Sequence, residues 1–308
     1  MNNSKNWLFY AVTTTLFWGV WGALIEIPEK AGFPATLGYA VWAFTMIPPA
    51  LIALKNTDWQ LEYSGKAILY GSLAGFTGAG GQLVLFEALR LGPAYLVFPI
   101  ISLSPVITIL LSTIFLKEKT GKMGWTGIIL ALIAIPLLSY QQPSSGSAGG
   151  LLWLILALIV FGAWGFQAYV LRFANESMQA ESIFFYMMAT AVILIPVALF
   201  MTDFSQPINW GLKGPYLAAL IQFLNSFGAL MLVFAFRYGK AIIVSPMTNA
   251  LAPVITIILS LIIYSVIPQP IILTGMVLAV ISALLLGYEE EDDEEELQSE
   301  TVKINPEN

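Results

Sequence analysis

The chain contains no cysteine and no histidine. The first absence excludes disulfides and thiolate chemistry. The second removes the commonest general base and a principal metal ligand. Charge is scarce as well. Ionisable Asp, Glu, Lys and Arg make up 10% of the 308 residues and apolar residues 58%, against about 25% and 45–50% in a soluble domain. A hydrolytic or metal-dependent site would need carboxylates, and few lie inside the apolar stretches. These shortages argue against an enzyme, against a resident cofactor or metal, and against nucleic acid as a partner.

What charge there is lies unevenly. Glu289 to Glu296 are eight acidic residues in a row, and Glu300 and Glu307 follow, with Lys303 the one base among them. The low overall pI describes this tail. The remainder carries 12 basic and 9 acidic groups, a net of +3. Residues 289–308 are expected to be a disordered, solvated acidic tail on the cytoplasmic side.

The rest is apolar. Ten runs are long enough to cross a bilayer core, which takes about 20 residues of helix: 7–27, 34–54, 68–89, 94–116, 123–139, 151–171, 183–201, 215–236, 241–264 and 271–286. They are continuous rather than alternating, so helices are expected and not barrel strands. The first run is too long for a signal-peptide core and has no small-residue cleavage site after it, which marks it as a retained span. Connections are short; the one low-complexity linker is Gln141 to Gly150. With the N-terminus in the cytoplasm, ten Lys/Arg fall inside and Lys30, Arg90 and Lys213 outside, so both termini are expected to be cytoplasmic. The expected architecture is an all-α, multi-pass membrane protein of ten transmembrane helices, in a bacterial plasma membrane.

The two halves resemble each other. Ser104-Pro-Val-Ile-Thr-Ile-Leu-Leu-Ser112 returns as Ala252-Pro-Val-Ile-Thr-Ile-Ile-Leu-Ser260, Arg90-Leu-Gly-Pro-Ala94 as Arg237-Tyr-Gly-Lys-Ala241, and Thr126-Gly127 as Thr274-Gly275. Trp21-Gly22 pairs with Trp164-Gly165. The shared order points to duplication, with residues 1–143 and 149–288 as the copies. Five spans per copy is odd, so the second enters from the opposite side. Such inverted repeats exchange conformations around a midplane site.

The segments Ala88-Leu-Arg-Leu-Gly-Pro-Ala-Tyr-Leu-Val-Phe-Pro99, Ser104-Pro105, Phe115-Leu-Lys-Glu-Lys119 and Gly127-Ile-Ile-Leu-Ala131 resemble the EamA domain of the drug/metabolite transporter superfamily. The likeness extends over the whole chain except the tail. It implies solute transport, often export, with a central cavity between the halves; substrates in the family vary widely. The second copy lacks the Lys-Glu-Lys turn, which weakens any role for Glu118 that needs both copies.

Pro99 and Pro105 are expected to interrupt the fourth span, and Pro246 and Pro253 the ninth. Matched broken helices are a pointer to a transport site; kinks that only shape packing are the alternative. Pro48-Pro49 has no repeat partner and suggests packing alone. Trp21, Gln82, Ser102, Trp164, Gln167, Asn225, Thr248 and Asn249 fall near mid-depth and are the candidate solute-binding residues. Helix-to-helix hydrogen bonding is the plainer reading of any one of them. Glu26 and Glu87 lie near the outer span ends as candidates for gating or proton coupling, although Glu87 is three residues from Arg90 and can simply pair with it. Small residues from Gly71 to Gly81 suggest close helix packing rather than a phosphate loop. The expected function is secondary-active transport, by alternating access, of a small organic or amphipathic solute; the alternative is a non-transporting receptor or assembly subunit acting through its acidic tail. The sequence leaves oligomeric state open.

Overall fold

Apolar segments must close their own backbone hydrogen bonds. In a computed structural model, all regular elements among the described residues are helices. The description covers residues 6–92, 94–140, 151–264 and 268–304, without the side chains at 94–96, 99, 264, 287 and 289–304. In chain order α1 is Asn6–Lys30, α2 Ala35–Asn56 and α3 Gly65–Leu91. The fourth segment has two pieces, α4a (Ala94–Ser102) and α4b (Pro105–Leu111). Then come α5 (Lys122–Leu138), α6 (Leu152–Asn175), α7 (Ala180–Phe200), α8 (Leu212–Tyr238), α9 (Ala241–Tyr264) and α10 (Pro270–Ile304). Seven helices, α1 to α3 and α6 to α9, are long and apolar enough to span a membrane. The apolar helices Ile100–Leu116, Lys122–Leu138 and Pro270–Leu286 are shorter. The backbone of α10 continues as helix through the acidic run to Ile304.

Proline sets most of the irregularities. A proline ring removes one donor and crowds the carbonyl four residues back. Turns fall at Ile25 ahead of Pro28, at Met46 ahead of Pro48-Pro49, at Leu103-Ser104 ahead of Pro105, and at Leu194 ahead of Pro196. At the break in the fourth segment, i→i−3 bonds from the amides of Leu103, Ser104 and Val106 replace the helical pattern. The ninth segment departs from expectation. α9 runs unbroken through Pro246 and Pro253. Polar side chains brace its carbonyls: Thr248 Oγ1 donates to Val244 O at 2.8 Å, Asn249 Nδ2 to Ser245 O at 2.9 Å, and Thr256 Oγ1 to Ala252 O at 3.2 Å. A proline alone costs a helix one bond, and a helix packed on several sides can retain its axis.

The packing repeats with the halves exchanged. α1 lies against α8 and α9, while α6 lies against α3 and α4b. α2 meets α8 as α7 meets α3, and α5 and α10 pair with each other. Ser282 Oγ, fully buried, donates to Gly127 O at 2.7 Å across that last pair. The principal core draws on both halves, with Tyr39, Met46, Ile183, Phe184, Phe236 and Ile242 almost wholly enclosed.

The glycine-rich stretch of α3 lets α7 come close, as the sequence suggests. A Cβ on Gly71 would lie 2.6 Å from the Tyr186 ring, and one on Gly75 1.7 Å from Thr190 Oγ1. Gly75→Ala should therefore destabilise the protein by about 1–3 kcal/mol, the usual cost of overpacking. Adding Thr190→Ala removes the hydroxyl in the way, so the double variant should recover part of the loss in thermal unfolding in detergent.

Candidate functional site

The site begins with a change of helical pitch. Residues Phe76–Gly80 of α3 form one π-helical turn, a feature that leaves backbone carbonyls with altered partners and often sits at functional sites. Here Gly78 O accepts a hydrogen bond from Trp164 Nε1 of α6 at 3.3 Å. Gly78 and Gly81 make room for the second half: a Cβ would lie 2.1 Å from Gln167 Nε2 and 2.6 Å from Trp164 Nε1, respectively.

The mirror arrangement is made by Trp18. Its Nε1 donates to Asn225 O of α8 at 3.3 Å, and a Cβ on Gly228 would lie 2.6 Å from its Cδ1. Gly78 and Asn225 are 147 positions apart, as are Gly81 and Gly228. Gly19 sits against Ala252 O and Ile255 just as Gly165 sits against Ser104 O and Ile107. The structural partner of Trp164-Gly165 is thus Trp18-Gly19, not the Trp21-Gly22 pair inferred from sequence. The chain has two Trp-Gly pairs three residues apart, and only the first gives an offset (146, from 18 to 164) close to the 147 and 148 of the other matches. Trp21 has a separate role: its Nε1 donates to Gln222 Oε1 at 3.0 Å.

Between these pairs lies a cavity in two connected parts. The inner part, about 280 Å³, is bounded by Trp18, Trp21, Trp42 and Trp164, with Gln82, Gln167, Asn225, Thr248 and Asn249 among its polar groups and Leu171 and Phe236 at its far end. The outer part, about 730 Å³, shares the four tryptophans with it and widens past Ser102, Ser139 and Pro253 to Glu26 and Glu29. It opens at the end of the bundle where α1 terminates. Of the sequence candidates, Trp21, Gln82, Trp164, Asn225, Thr248 and Asn249 border both parts, Gln167 the inner and Ser102 the outer.

Other candidates stand apart. Glu87 is absent from the cavity wall and binds Arg90 through two hydrogen bonds, from Nε at 2.8 Å and from Nη2. Glu26 reaches the mouth but forms an exposed ion pair with Lys30. Pro105 and Pro246 do not line the cavity, and the side chain of Pro99 lies outside the described residues. One feature escaped the sequence reading. Trp42 lines both parts, and only its mid-span position could have signalled it. Gln222, one of the polar residues that the sequence places near mid-span, lines the outer part and is a hydrogen-bonding hub there: its Oε1 accepts from Trp21 and from Asn225 Nδ2 (3.4 Å), while its Nε2 donates to Gly38 O at 3.3 Å.

The opposite end is closed across the two halves. Lys117 takes a left-handed conformation (φ 57°) at the end of the fourth segment, which turns Glu118 back into the bundle. Glu118 is the one buried carboxylate among the described residues. Its Oε1 accepts from Arg172 Nε of α6 at 2.9 Å, and its Oε2 from the Ile242 amide at the start of α9 at 3.1 Å. On α6 one turn further, Asn175 Nδ2 donates to Leu171 O and Val233 O at 2.8 and 3.0 Å.

A bundle of apolar helices in two exchanged halves, enclosing a largely aromatic and apolar cavity with a few amides and hydroxyls in its wall, defines a class: multi-pass membrane transporters. The chain belongs to the EamA-like transporter family, whose pattern matches residues 5–140 and again 150–288. An "Uncharacterized transporter in cobO 3'region" of Sinorhizobium sp. is 32% identical over 41% of this chain and 90% of its own length. An "Uncharacterized transporter" of Archaeoglobus fulgidus is 27% identical over 50% of this chain, which spans about half (54%) of that protein. Protein LicB of Haemophilus influenzae is 25% identical over 65% of this chain and 70% of its own. A crystal structure of a protein 17% identical in sequence matches with a TM-score of 0.74 over 92% of this chain and 96% of its own, a likeness of fold alone. The protein is an integral membrane transporter; a small-molecule solute and the lipid bilayer are its partners.

Proposed function

We propose that the protein is a secondary-active carrier that exports a small organic solute by alternating access, with all ten helical segments crossing a bacterial plasma membrane and both termini in the cytoplasm. The observation that carries this reading is the cavity: both repeats contribute matched tryptophans to its wall, and it is open at one end and closed at the other. With the N-terminus inside, the open end faces outward. Rocking one half against the other would exchange the two ends. Solute counterflow in proteoliposomes tests it: preloaded solute should accelerate uptake of labelled solute. A channel gives uptake without that acceleration, and a receptor gives no uptake.

Proton coupling within this reading falls to Glu26, which borders the mouth, rather than to Glu87, which faces away. In liposomes with an imposed pH gradient, Glu26→Gln should abolish gradient-driven flux and Glu87→Gln should not. Flux that survives both substitutions removes these carboxylates from the mechanism.

A further inference from the structure

The hydrogen-bonding groups of the cavity divide into spent and unspent, and the unspent ones describe the solute. Three of the four indole N–H groups have protein acceptors: Trp18 on Asn225 O, Trp21 on Gln222 Oε1 and Trp164 on Gly78 O. The fourth, Trp42 Nε1, is buried and has none. A buried donor without an acceptor is costly; the Trp42 ring borders both parts of the cavity, and a turn of that ring would bring the N–H, shielded in this state, to a solute there. The side-chain amides of Gln82 and Gln167 also make no hydrogen bond to protein among the described residues, although both face the inner part.

Among the described residues, no ionisable side chain lines that inner part. An anion would meet no base there and would first pass Glu26 and Glu29. A zwitterion would place two desolvated charges among neutral groups. A cation is drawn to indole faces, but it brings no acceptor for the Trp42 N–H or for the amide N–H groups. A primary amide presents an acceptor and a donor side by side. Its complement is a ring edge with the same pair reversed, and flat aromatic walls favour a flat solute.

We propose that the solute is a neutral, planar heteroaromatic compound whose edge carries an acceptor beside a donor (a carboxamide, lactam or amidine edge), and that Trp42 Nε1 donates to that acceptor. The proposal rests on the transport reading above, with the cavity as the solute site. The test is calorimetric titration of the full chain in nanodiscs with probes of similar size: nicotinamide and hypoxanthine as neutral edges, benzoate as anion, phenylalanine as zwitterion and benzyltrimethylammonium as cation. The neutral probes should bind at least about tenfold more tightly than the charged ones, and Trp42→Phe, which keeps the ring and deletes the donor, should weaken them about fivefold to tenfold. Gln167→Leu should weaken them likewise, and it carries the test if Trp42→Phe is not monodisperse.

Stronger binding of any charged probe overturns the proposal, as does failure of both neutral probes to bind at about 1 mM, or unchanged affinity in both variants. Counterflow with the same probes separates this from failure of the transport reading. A charged probe that is bound and carried sinks the solute class and leaves the carrier standing. Neutral probes that bind through Trp42 but are never carried sink the carrier and leave the site standing.

Discussion

Replacing Glu118 by glutamine should open the closed end of the bundle. Because the chain has no cysteine, a single introduced thiol reports without background. Ala241→Cys places it at the start of α9, beside the Ile242 amide that Glu118 holds, where the native side chain is fully buried. With the wild-type carboxylate this thiol should react slowly with a membrane-impermeant maleimide. With Glu118→Gln, and separately with Arg172→Gln, its labelling should accelerate by at least about tenfold, equivalent to about 1.4 kcal/mol in the closed-to-open equilibrium. Ala43→Cys, in the core of α2 and equally buried, is the control for unfolding and should stay slow. Equal acceleration at both thiols would mean that Glu118 only supports folding. The pair is substantial: removing one partner of a buried ion pair commonly costs about 3–5 kcal/mol. Arg172, 22% exposed in its side chain, can turn partly to solvent, so a loss near the lower end is expected.

The second large effect concerns the seats of the two mirrored tryptophans. Gly81→Val and Gly228→Val each put a branched side chain into a ring that already stands 2.6 Å from where the Cβ must go. Each should displace its tryptophan at an overpacking cost of about 1–3 kcal/mol and reduce counterflow more than tenfold, while far-ultraviolet circular dichroism stays unchanged. The mirror relation makes the prediction specific: the two variants should fail alike, although their positions lie in different halves. A variant at Gly228 that transports normally would show that the Trp18 side of the cavity is not used.

Much of this architecture was legible because hydrophobic length and proline position act locally. The apolar runs announced seven helices long enough to span a membrane and three shorter ones, and the turns at Ile25, Met46, Leu103-Ser104 and Leu194 each precede a proline. The ninth segment was not legible. α9 stays continuous through Pro246 and Pro253 while packed against α1, α5, α10 and α4b, and that packing is not written in the local sequence. The candidate residues are chosen by depth alone, and Trp42 is not among them. Depth ranks a residue by distance from the helix ends and says nothing about which face it occupies. The pairing of Trp21 with Trp164 failed for a related reason: a dipeptide that recurs after three residues cannot set its own register, whereas hydrogen bonds to Gly78 and Asn225 can.

The clasp at Glu118 has no twin. The corresponding segment of the second half reads Leu261-Ile-Ile-Tyr-Ser-Val-Ile-Pro-Gln-Pro270 and offers no carboxylate. Two perfectly matched halves would leave a carrier indifferent between its two orientations. In the proposed carrier, one carboxylate present on one side only would tilt that balance toward the state in which the cavity is open at the end where α1 terminates. A solute approaching from the clasped end would then meet a receptive molecule only for the fraction of time in which the clasp is undone, and its apparent affinity there would be weakened in proportion. A repeated architecture would permit reversal, and the asymmetry of that one turn would give it a direction of rest.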